Sequence, residues 1–434
     1  MRAMSLVIEK NLWHKMLSIY KSYILGKNAL GLIDQALISA GNFTVMVLLA
    51  RQLHPHDFGV FTLIYTALLL ANNIQTGLIT QAHNVLAVTK KGREYNIYTT
   101  TTAVFQLAFI LLAVLLGIIA LSLSSIFSPG INALVLSTIC ALVAWQAQEF
   151  VRRILYTEDR LGGVLLNDFV SYGGQIVLLV LLWLTSSLTS VTALYSLAVT
   201  SAAASVLGAL QIRHAICSEI SSAIVREIWD YGKWVAAGRI GYWMSVQIYV
   251  YITAVLVGPF AAGVIKAVQV ILGPLNVPLI FLDTILPIRF SRALDTQGIA
   301  GFKRQIKLSF AATSPLLIMY CSLVAVFSTE ILRLVYGPKY EQYGLTLALF
   351  ALYYFVTYIG RIISSGLRAI RETKSFFTIF VSSTLMALIP GILLVLSLKV
   401  NGAILAMNLG YSLVDLFWFR KLVNAMRSHT LIQA

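Results

Sequence analysis

Charge is what this chain has least of. Asp, Glu, Lys and Arg make up 11% of its 434 residues, and hydrophobic residues make up 59%. A soluble globular protein carries roughly 25% charged residues, so the composition excludes a water-soluble fold and predicts a polytopic membrane protein. Cysteine is nearly as scarce. Cys140, Cys217 and Cys321 show no paired spacing and two lie in apolar runs, so they read as small buried hydrophobes rather than a disulfide framework or metal motif. The chain also lacks a nucleotide-binding loop, a nucleophile elbow and a zinc signature, which leaves ATP hydrolysis and the familiar hydrolytic chemistries without residues to perform them. The longest connection on the outer side runs from about Thr329 to Gly344, too short for a domain that could house a sugar-processing site. The chain is expected not to be an enzyme.

What is present is length and apolar periodicity. Hydropathy predicts twelve spans, at 30–50, 58–80, 97–121, 131–151, 162–185, 190–211, 233–257, 261–287, 308–328, 345–365, 375–398 and 402–419, most close to the ~20 residues that cross a bilayer as a helix. Formal net charge is +15. With the N-terminus inside, and Lys233 at the edge of span 7 counted with the linker before it, 25 of the 32 Lys and Arg fall in cytoplasmic segments, four fall outside (Arg51, Arg333, Lys339, Lys399), and Arg239, Lys266 and Arg361 fall within spans. That bias is the one the positive-inside rule demands, and it places both termini in the cytoplasm. It also accounts for the basic balance through topology and anionic lipid heads, so no nucleic-acid partner is implied.

The division that follows has five parts. Residues 1–29 form a cytoplasmic segment without the compact apolar core of a cleavable signal. Within it Leu12, Trp13, Met16, Leu17, Tyr20 and Tyr23 fall on one face and lysines on the other, predicting a helix on the membrane surface over 9–27. Residues 30–211 form an N-terminal lobe of six spans, 212–232 a cytoplasmic linker, 233–420 a C-terminal lobe of six spans, and 421–434 a cytoplasmic tail. Ile216, Ile220, Ile224 and Ile228 recur every four residues and predict a second surface helix in the linker.

The two halves resemble each other at their first hairpins. Leu53-His-Pro-His-Asp-Phe-Gly59 aligns with Val257-Gly-Pro-Phe-Ala-Ala-Gly263 at an offset of 204, which sets Pro55 on Pro259, Gly59 on Gly263, Asn72 on Asn276 and Thr80 on Thr284. Both halves enter from inside, the arrangement of repeats related by an axis along the membrane normal, with the substrate path between them.

Polar chemistry inside the membrane then marks the candidate site. A charge at mid-bilayer costs on the order of 2.5–3.5 kcal/mol on insertion scales, so intramembrane charges face a cavity or a partner. Arg239, Lys266 and Arg361 are candidates for a cationic cavity that takes an anionic substrate, because Arg binds phosphate through paired hydrogen bonds and Lys supplies a compact charge. Asn72 and Gln75 could bond hydroxyls, or join helices. Tyr242 and Trp243, in an aromatic-rich span 7, could stack on sugar faces, or belong to an interfacial belt. Asp34 and Asp168 lie about one turn inside the cytoplasmic ends of spans 1 and 5, where they would balance the cations, titrate as protons move, or pair structurally. Asp283 and Asp415 are expected to pair with neighbouring Arg289 and Arg420.

Three stretches carry a family resemblance. Leu49-Ala-Arg51-Gln-Leu53-His-Pro55-His-Asp-Phe58-Gly59 resembles the opening signature of bacterial polysaccharide transporters, the O-antigen-type flippases of the multidrug/oligosaccharidyl-lipid/polysaccharide exporter superfamily. Gly258-Pro-Phe-Ala-Ala-Gly263 and Val335-Tyr-Gly337-Pro-Lys-Tyr340 agree with it. The resemblance implies a MATE-like, all-α integral membrane protein of about 12 transmembrane helices in two six-helix lobes with pseudo-twofold symmetry, rocking between two states. It implies a cargo of polyprenyl-diphosphate-linked oligosaccharide, an O-antigen or other lipopolysaccharide or surface-polysaccharide unit, flipped from the inner to the outer leaflet of a bacterial inner membrane. Polysaccharide-assembly proteins are the further partners it implies. No cofactor is implied; proton or sodium coupling would fall to Asp34 and Asp168. A drug or small-cation antiporter of the same superfamily is the first alternative, and a membrane polysaccharide polymerase or glycosyltransferase the second.

Overall fold

A computed structural model describes residues 28–127, 132–370, 372 and 375–433. The predicted surface helix at 9–27 lies outside those residues. The described chain is all helical, with no strand. In order, α1 is Asn28–Gln52; α2, Pro55–Gln75, continues through a π-helical turn Thr76–Thr80 into α3, Gln81–Leu86; α4 is Gly92–Phe127 and α5 Asn132–Thr157. Next come α6, Leu161–Asp168, a second π-helical turn Phe169–Gly173, α7, Gly174–Leu184, and α8, Ser190–Ile212. The remainder comprises α9, Ser222–Val257; α10, Pro259–Leu272; α11, Asn276–Val326; α12, Ser328–Tyr336; α13, Gly344–Ala369; and α14, Ser375–Gln433.

Nine stretches of described helix are long and apolar enough to cross a membrane, or ten with the bent pair Ser222–Gly241 and Val246–Val257. Two of the nine, Pro259–Val326 with 68 residues and Thr378–Arg427 with 50, far exceed one crossing. Each contains a reversal. Gly298 has φ 61° and ψ −160° inside α11, and Lys399 has φ 52° and ψ −124° inside α14. Eight residues of continuous helix would separate two positions by about 12 Å. A Cβ added to Gly301 would instead lie 3.1 Å from the Ala293 carbonyl oxygen, and one added to Gly402 would overlap the Leu394 carbonyl. The chain doubles back at both points. Divided there, and with the bent pair counted, the described helices yield the twelve predicted segments.

The chain falls into two compact units. One comprises residues 1–45, 78–187 and 191–232; the other comprises 46–77, 188–190 and 233–434. Residues 46–77 thus cluster with the second half of the chain rather than with the rest of the first.

In the first unit, Ile79, Phe150, Val151, Ile154, Leu155, Val164 and Ile212 form one buried cluster, and Ala82, Ala87, Tyr98 and Ile228 form another. His83, 1% exposed, stands between the hydroxyls of Thr157 and Thr99, each 3.2 Å from a ring nitrogen. Leu107, Leu111, Leu112, Leu115 and Leu116 on α4 are exposed, a surface suited to lipid rather than water. The linker differs from expectation. Its isoleucines do not share one surface helix: Arg213–Ala215 is a single 3-10 turn, Ile216 is extended, and helix resumes at Ser222 to run on through α9. Ile228 is fully buried, whereas Ile216 and Ile220 are exposed. The reason is local: backbone amides of Cys217 and Ser221 donate to the hydroxyls of Thr100 and Thr101 on α4, an alternative to helical bonding.

In the second unit, α13 is the central helix, buried around most of its circumference and packed between α11 and α14. The helices α2 and α10 cross closely. Each begins with proline at its first position, where the missing N–H costs nothing, and each has glycine at its fifth. A Cβ on Gly59 would overlap the Pro259 carbonyl and stand 2.7 Å from the Phe260 nitrogen; one on Gly263 would stand 2.9 Å from Phe58 Cδ1 and 3.2 Å from Gly59 Cα. The repeat-related glycines therefore meet each other.

The third motif joins the same region. Gly337, at φ 89°, turns the chain between α12 and Pro338, a conformation that favours glycine. Lys339 Nζ donates to the carbonyls of Arg51 at 2.7 Å and Leu53 at 2.9 Å, and Arg51 Nη2 donates to the Leu334 carbonyl at 2.8 Å. Lys339 caps carbonyls at the end of α1 and Arg51 caps one in the last turn of α12, where intrahelical partners run out. Tyr336, 1% exposed, donates its hydroxyl to the Ala267 carbonyl of α10 at 2.9 Å.

Candidate functional site

The predicted substrate residues all fall in the second unit and the predicted coupling residues both fall in the first. In the second unit, α10 presents Lys266 between buried Ile265 and Ala267. Its Nζ lies 5.3 Å from the centroid of the Tyr65 ring on α2, a cation–π contact. No carboxylate pairs with it among the described residues. One helix away, Arg239 on α9 packs its stem against the π-helical turn that follows α2, with Cδ 3.1 Å from where a Gly77 Cβ would stand. The absence of a side chain at Gly77 is what lets α9 approach, since that Cβ would also lie 2.6 Å from Ala236 Cα.

Just before Gly77, Asn72 accepts from the Thr76 hydroxyl at 3.4 Å, Asn73 donates to the Leu69 carbonyl, and Gln75 is fully buried. These polar residues lead into the π-helical turn Thr76–Thr80, a geometry frequent at functional positions. Trp243 lies 5.8 Å from Tyr251 with the two rings tilted by 49°; the Tyr251 hydroxyl donates to the Leu63 carbonyl of α2, and the Trp243 Nε1 has no acceptor among the described residues. The side chain of Tyr242 lies outside those described.

Arg361 is differently placed. It pairs with Asp283, and Arg368 donates to the other oxygen of that carboxylate at 2.9 Å. This corrects the expected Asp283–Arg289 pair. Six residues along a helix turn the two side chains to opposite faces, while α13 runs alongside and offers two arginines. The expected Asp415–Arg420 pair is likewise not formed. Five residues of helix again point the two apart. Asp415, 8% exposed, rests against Gly360 of α13, with its Oδ1 lacking a hydrogen-bond partner.

In the first unit Asp34 and Asp168 come together around a residue that sequence reading assigned to a loop. Arg152 lies on α5, which runs to Thr157, and it is 5% exposed. Its Nε donates to Asp168 Oδ2 at 2.7 Å, its Nη2 to Asp34 Oδ2 at 3.1 Å, and its Nη1 to both Glu149 oxygens at 3.4 Å. Tyr156 donates its hydroxyl to Asp34, and Arg153 Nε stands 3.8 Å from Glu149. Three carboxylates thus face two guanidiniums, a formal charge of −1 when all are ionised. Asp34 Oδ1 and Asp168 Oδ1 remain buried without partners. Among the described residues no group of three His, Cys, Asp or Glu is arranged to hold a metal ion. The second π-helical turn begins directly after Asp168 and adds Ser171, which donates to Gln148 at 3.0 Å. The spacing Glu149-x-x-Arg152 at the end of span 4 was the available signal: residues three apart share a helix face, here the inward one.

No protein-family model matches the chain, and no curated protein sequence matches it. Solved structures do. An inward-facing structure of a multidrug-resistance MATE-family transporter of the MOP superfamily superposes with a TM-score of 0.71 at 13% identity, covering 91% of this chain and 96% of that one. A lipid II flippase, MurJ, in an inward closed conformation gives 0.68 at 16% identity, covering 93% and 90%. A MOP-superfamily transporter from Pyrococcus furiosus, described as having a binding pocket of reverse polarity, gives 0.60 at 14% identity, covering 94% and 98%. The chain has the fold of these transporters over nearly its whole length.

Proposed function

We propose that this protein is a flippase that moves a polyprenyl-diphosphate-linked oligosaccharide, an O-antigen or related surface-polysaccharide unit, from the inner to the outer leaflet of a bacterial inner membrane. The observation that carries this reading is Lys266, a cation inside a membrane span whose charge the described structure answers only with an aromatic ring. An ammonium in that position is costly unless an anion visits it, and a diphosphate is such an anion. Arg239 would supply planar, paired donors, with Asn72, Gln75 and Trp243 offering polar and stacking contacts to sugars. Arg361 has the weaker claim, because Asp283 already neutralises it. That a protein described as a lipid II flippase has this fold supports a lipid-linked cargo.

Alternating access would supply the movement, with no chemical conversion of the cargo. The first unit's cluster would supply coupling: Asp34 and Asp168 share one guanidinium, and a proton or sodium ion would remove the residual negative charge. That acidic excess also favours a second reading, export of drugs or small cations, which the MATE-family neighbour supports equally. The test replaces Lys266→Gln and Arg239→Gln separately, confirms membrane insertion, and measures leaflet translocation of the lipid-linked glycan. At least one variant should lose most transport; undiminished transport in both sinks the diphosphate assignment. Transport in vesicles that persists unchanged when ion gradients are collapsed would dispose of the coupling role.

A further inference from the structure

After the reversal at Gly298, the second arm of α11 presents a single stripe of residues to the outside: Ala300, Lys303, Arg304, Lys307, Leu308 and Ala311. They recur at three- and four-residue spacing, one helical face, and enclose a groove of 460 Å³. The opposite face is anchored in the second unit by Ile299 and Phe302, the latter fully buried and edge-on to Phe290 at 6.0 Å. The stripe is therefore held rigidly and left open.

Its charges are uncompensated. Some exposed basic residues near helix ends have carboxylate partners: Lys90 with Glu94 at 2.7 Å, Arg93 with Glu219 at 2.6 Å, Lys421 with Glu372 at 3.2 Å. Lys303, Arg304 and Lys307 have none among the described residues. Lys303 and Lys307, four residues apart, repel each other. Each of these features disfavours the bare protein and favours a bound anion.

The rest of the stripe says what kind of anion. Ala300 and Ala311 leave the groove its room, Leu308 is 51% exposed, and the same arm continues outward through exposed Leu316, Met319 and Leu323. Basic groups at one end and an open apolar track at the other match a phosphate head with an acyl chain. We infer that this stripe is a binding site for an anionic glycerophospholipid, its phosphate held by Lys303, Arg304 and Lys307 and its chain laid along Leu308 and Ala311. The charge distribution puts this end of the arm on the cytoplasmic side, where a surface rich in anionic lipid supplies the ligand. The site shares no residue with the proposed cargo site or the coupling cluster.

The experiment uses the full-length protein, delipidated in detergent, with phosphatidylglycerol, phosphatidylcholine and free glycerol phosphate as probes and lipid retention in native mass spectrometry as readout. Phosphatidylglycerol should bind at least tenfold more tightly than phosphatidylcholine. The combined variant Lys303→Gln, Arg304→Gln, Lys307→Gln should lower that preference to near unity, whereas Lys90→Gln, Lys91→Gln, Arg93→Gln should leave it in place. Glycerol phosphate should not compete at equal concentration. Should the first triple variant fail to fold, Arg304→Gln alone and a salt titration of the unaltered protein serve, both expected to weaken phosphatidylglycerol binding. Unchanged preference in the stripe variants, an equal loss in the Lys90 variant, or equal competition by glycerol phosphate would overturn the assignment.

Discussion

Adding one methyl group at Gly59 should do far more damage than adding one at Gly263, although the two glycines occupy matching places in a repeat. At Gly59 the new Cβ would overlap the carbonyl of Pro259 and lie 2.7 Å from the backbone nitrogen of Phe260. Backbone atoms at the start of a helix cannot rotate away. Restoring 3.4 Å to Phe260 nitrogen alone requires α2 and α10 to part by about 0.7 Å, and a gap of that size already forfeits a quarter to a half of each dispersion contact along the crossing. At Gly263 the tightest neighbour is Phe58 Cδ1 at 2.9 Å, a side-chain atom that can shift, followed by Gly59 Cα at 3.2 Å. Overpacking a tight core typically costs about 1–3 kcal/mol. Gly59→Ala should sit at or above the top of that range and Gly263→Ala near the bottom. The measurement is thermal unfolding of the purified proteins in one detergent, paired with transport. Equal melting temperatures for the two variants, or a larger loss for Gly263→Ala, would refute the crossing described here.

Three other expectations can be measured on the same preparations. Arg152→Met leaves Asp34, Asp168 and Glu149 buried around an apolar side chain, and breaking such a network by removing one partner costs about 3–5 kcal/mol; an unchanged unfolding temperature would show that the cluster is not held by Arg152. Lys339→Met removes two charge-assisted bonds to carbonyls of the first hairpin, each worth about 1.5–3 kcal/mol when desolvated and less at this partly exposed position. Its expected signature is a modestly lower melting temperature with faster exchange of the amides around Leu53 in hydrogen-exchange mass spectrometry, and unaltered exchange there would remove the capping role. Asp415→Asn should leave stability unchanged or raise it, because a buried carboxylate with no partner costs the folded state; clear destabilisation would reveal a partner for Asp415.

The membrane class, the twelve segments and the motif positions could be read from the sequence because each rests on local pattern. Hydropathy is averaged over a window, and Pro-Gly turns announce themselves within a few residues. Reversals at Gly298 and Lys399 fell inside predicted connections for the same reason. What could not be read was which faces meet. Asp283 had an arginine six residues along its own helix, yet it found Arg361 and Arg368 on α13, because contact follows helix packing rather than separation along the chain. Arg152 was hidden by a boundary drawn at residue 151; extending the helix to Thr157 converts a loop cation into the centre of a buried cluster. The linker isoleucines show the opposite failure. Their four-residue spacing was real, but Thr100 and Thr101 competed for the backbone and undid the helix before Ser222.

The repeat itself divides into what close packing needs and what chemistry needs. Proline at the first helical position and glycine at the fifth occur in both α2 and α10, and the two glycines touch. At the same offset of 204, Lys266 corresponds to Thr62 and Arg239 to Gln35. Thr62 is 1% exposed with its hydroxyl unpartnered among the described residues, whereas Lys266 has the Tyr65 ring. Both cations of the proposed site therefore belong to one copy of the repeat, and the buried carboxylates Asp34 and Asp168 belong to the other. A symmetric pair of cationic sites would hold a diphosphate equally at two places and offer no reason to release it. In the proposed carrier, unlike chemistry in the two halves of the sequence would let anion binding in one and ion binding in the other be occupied in turn.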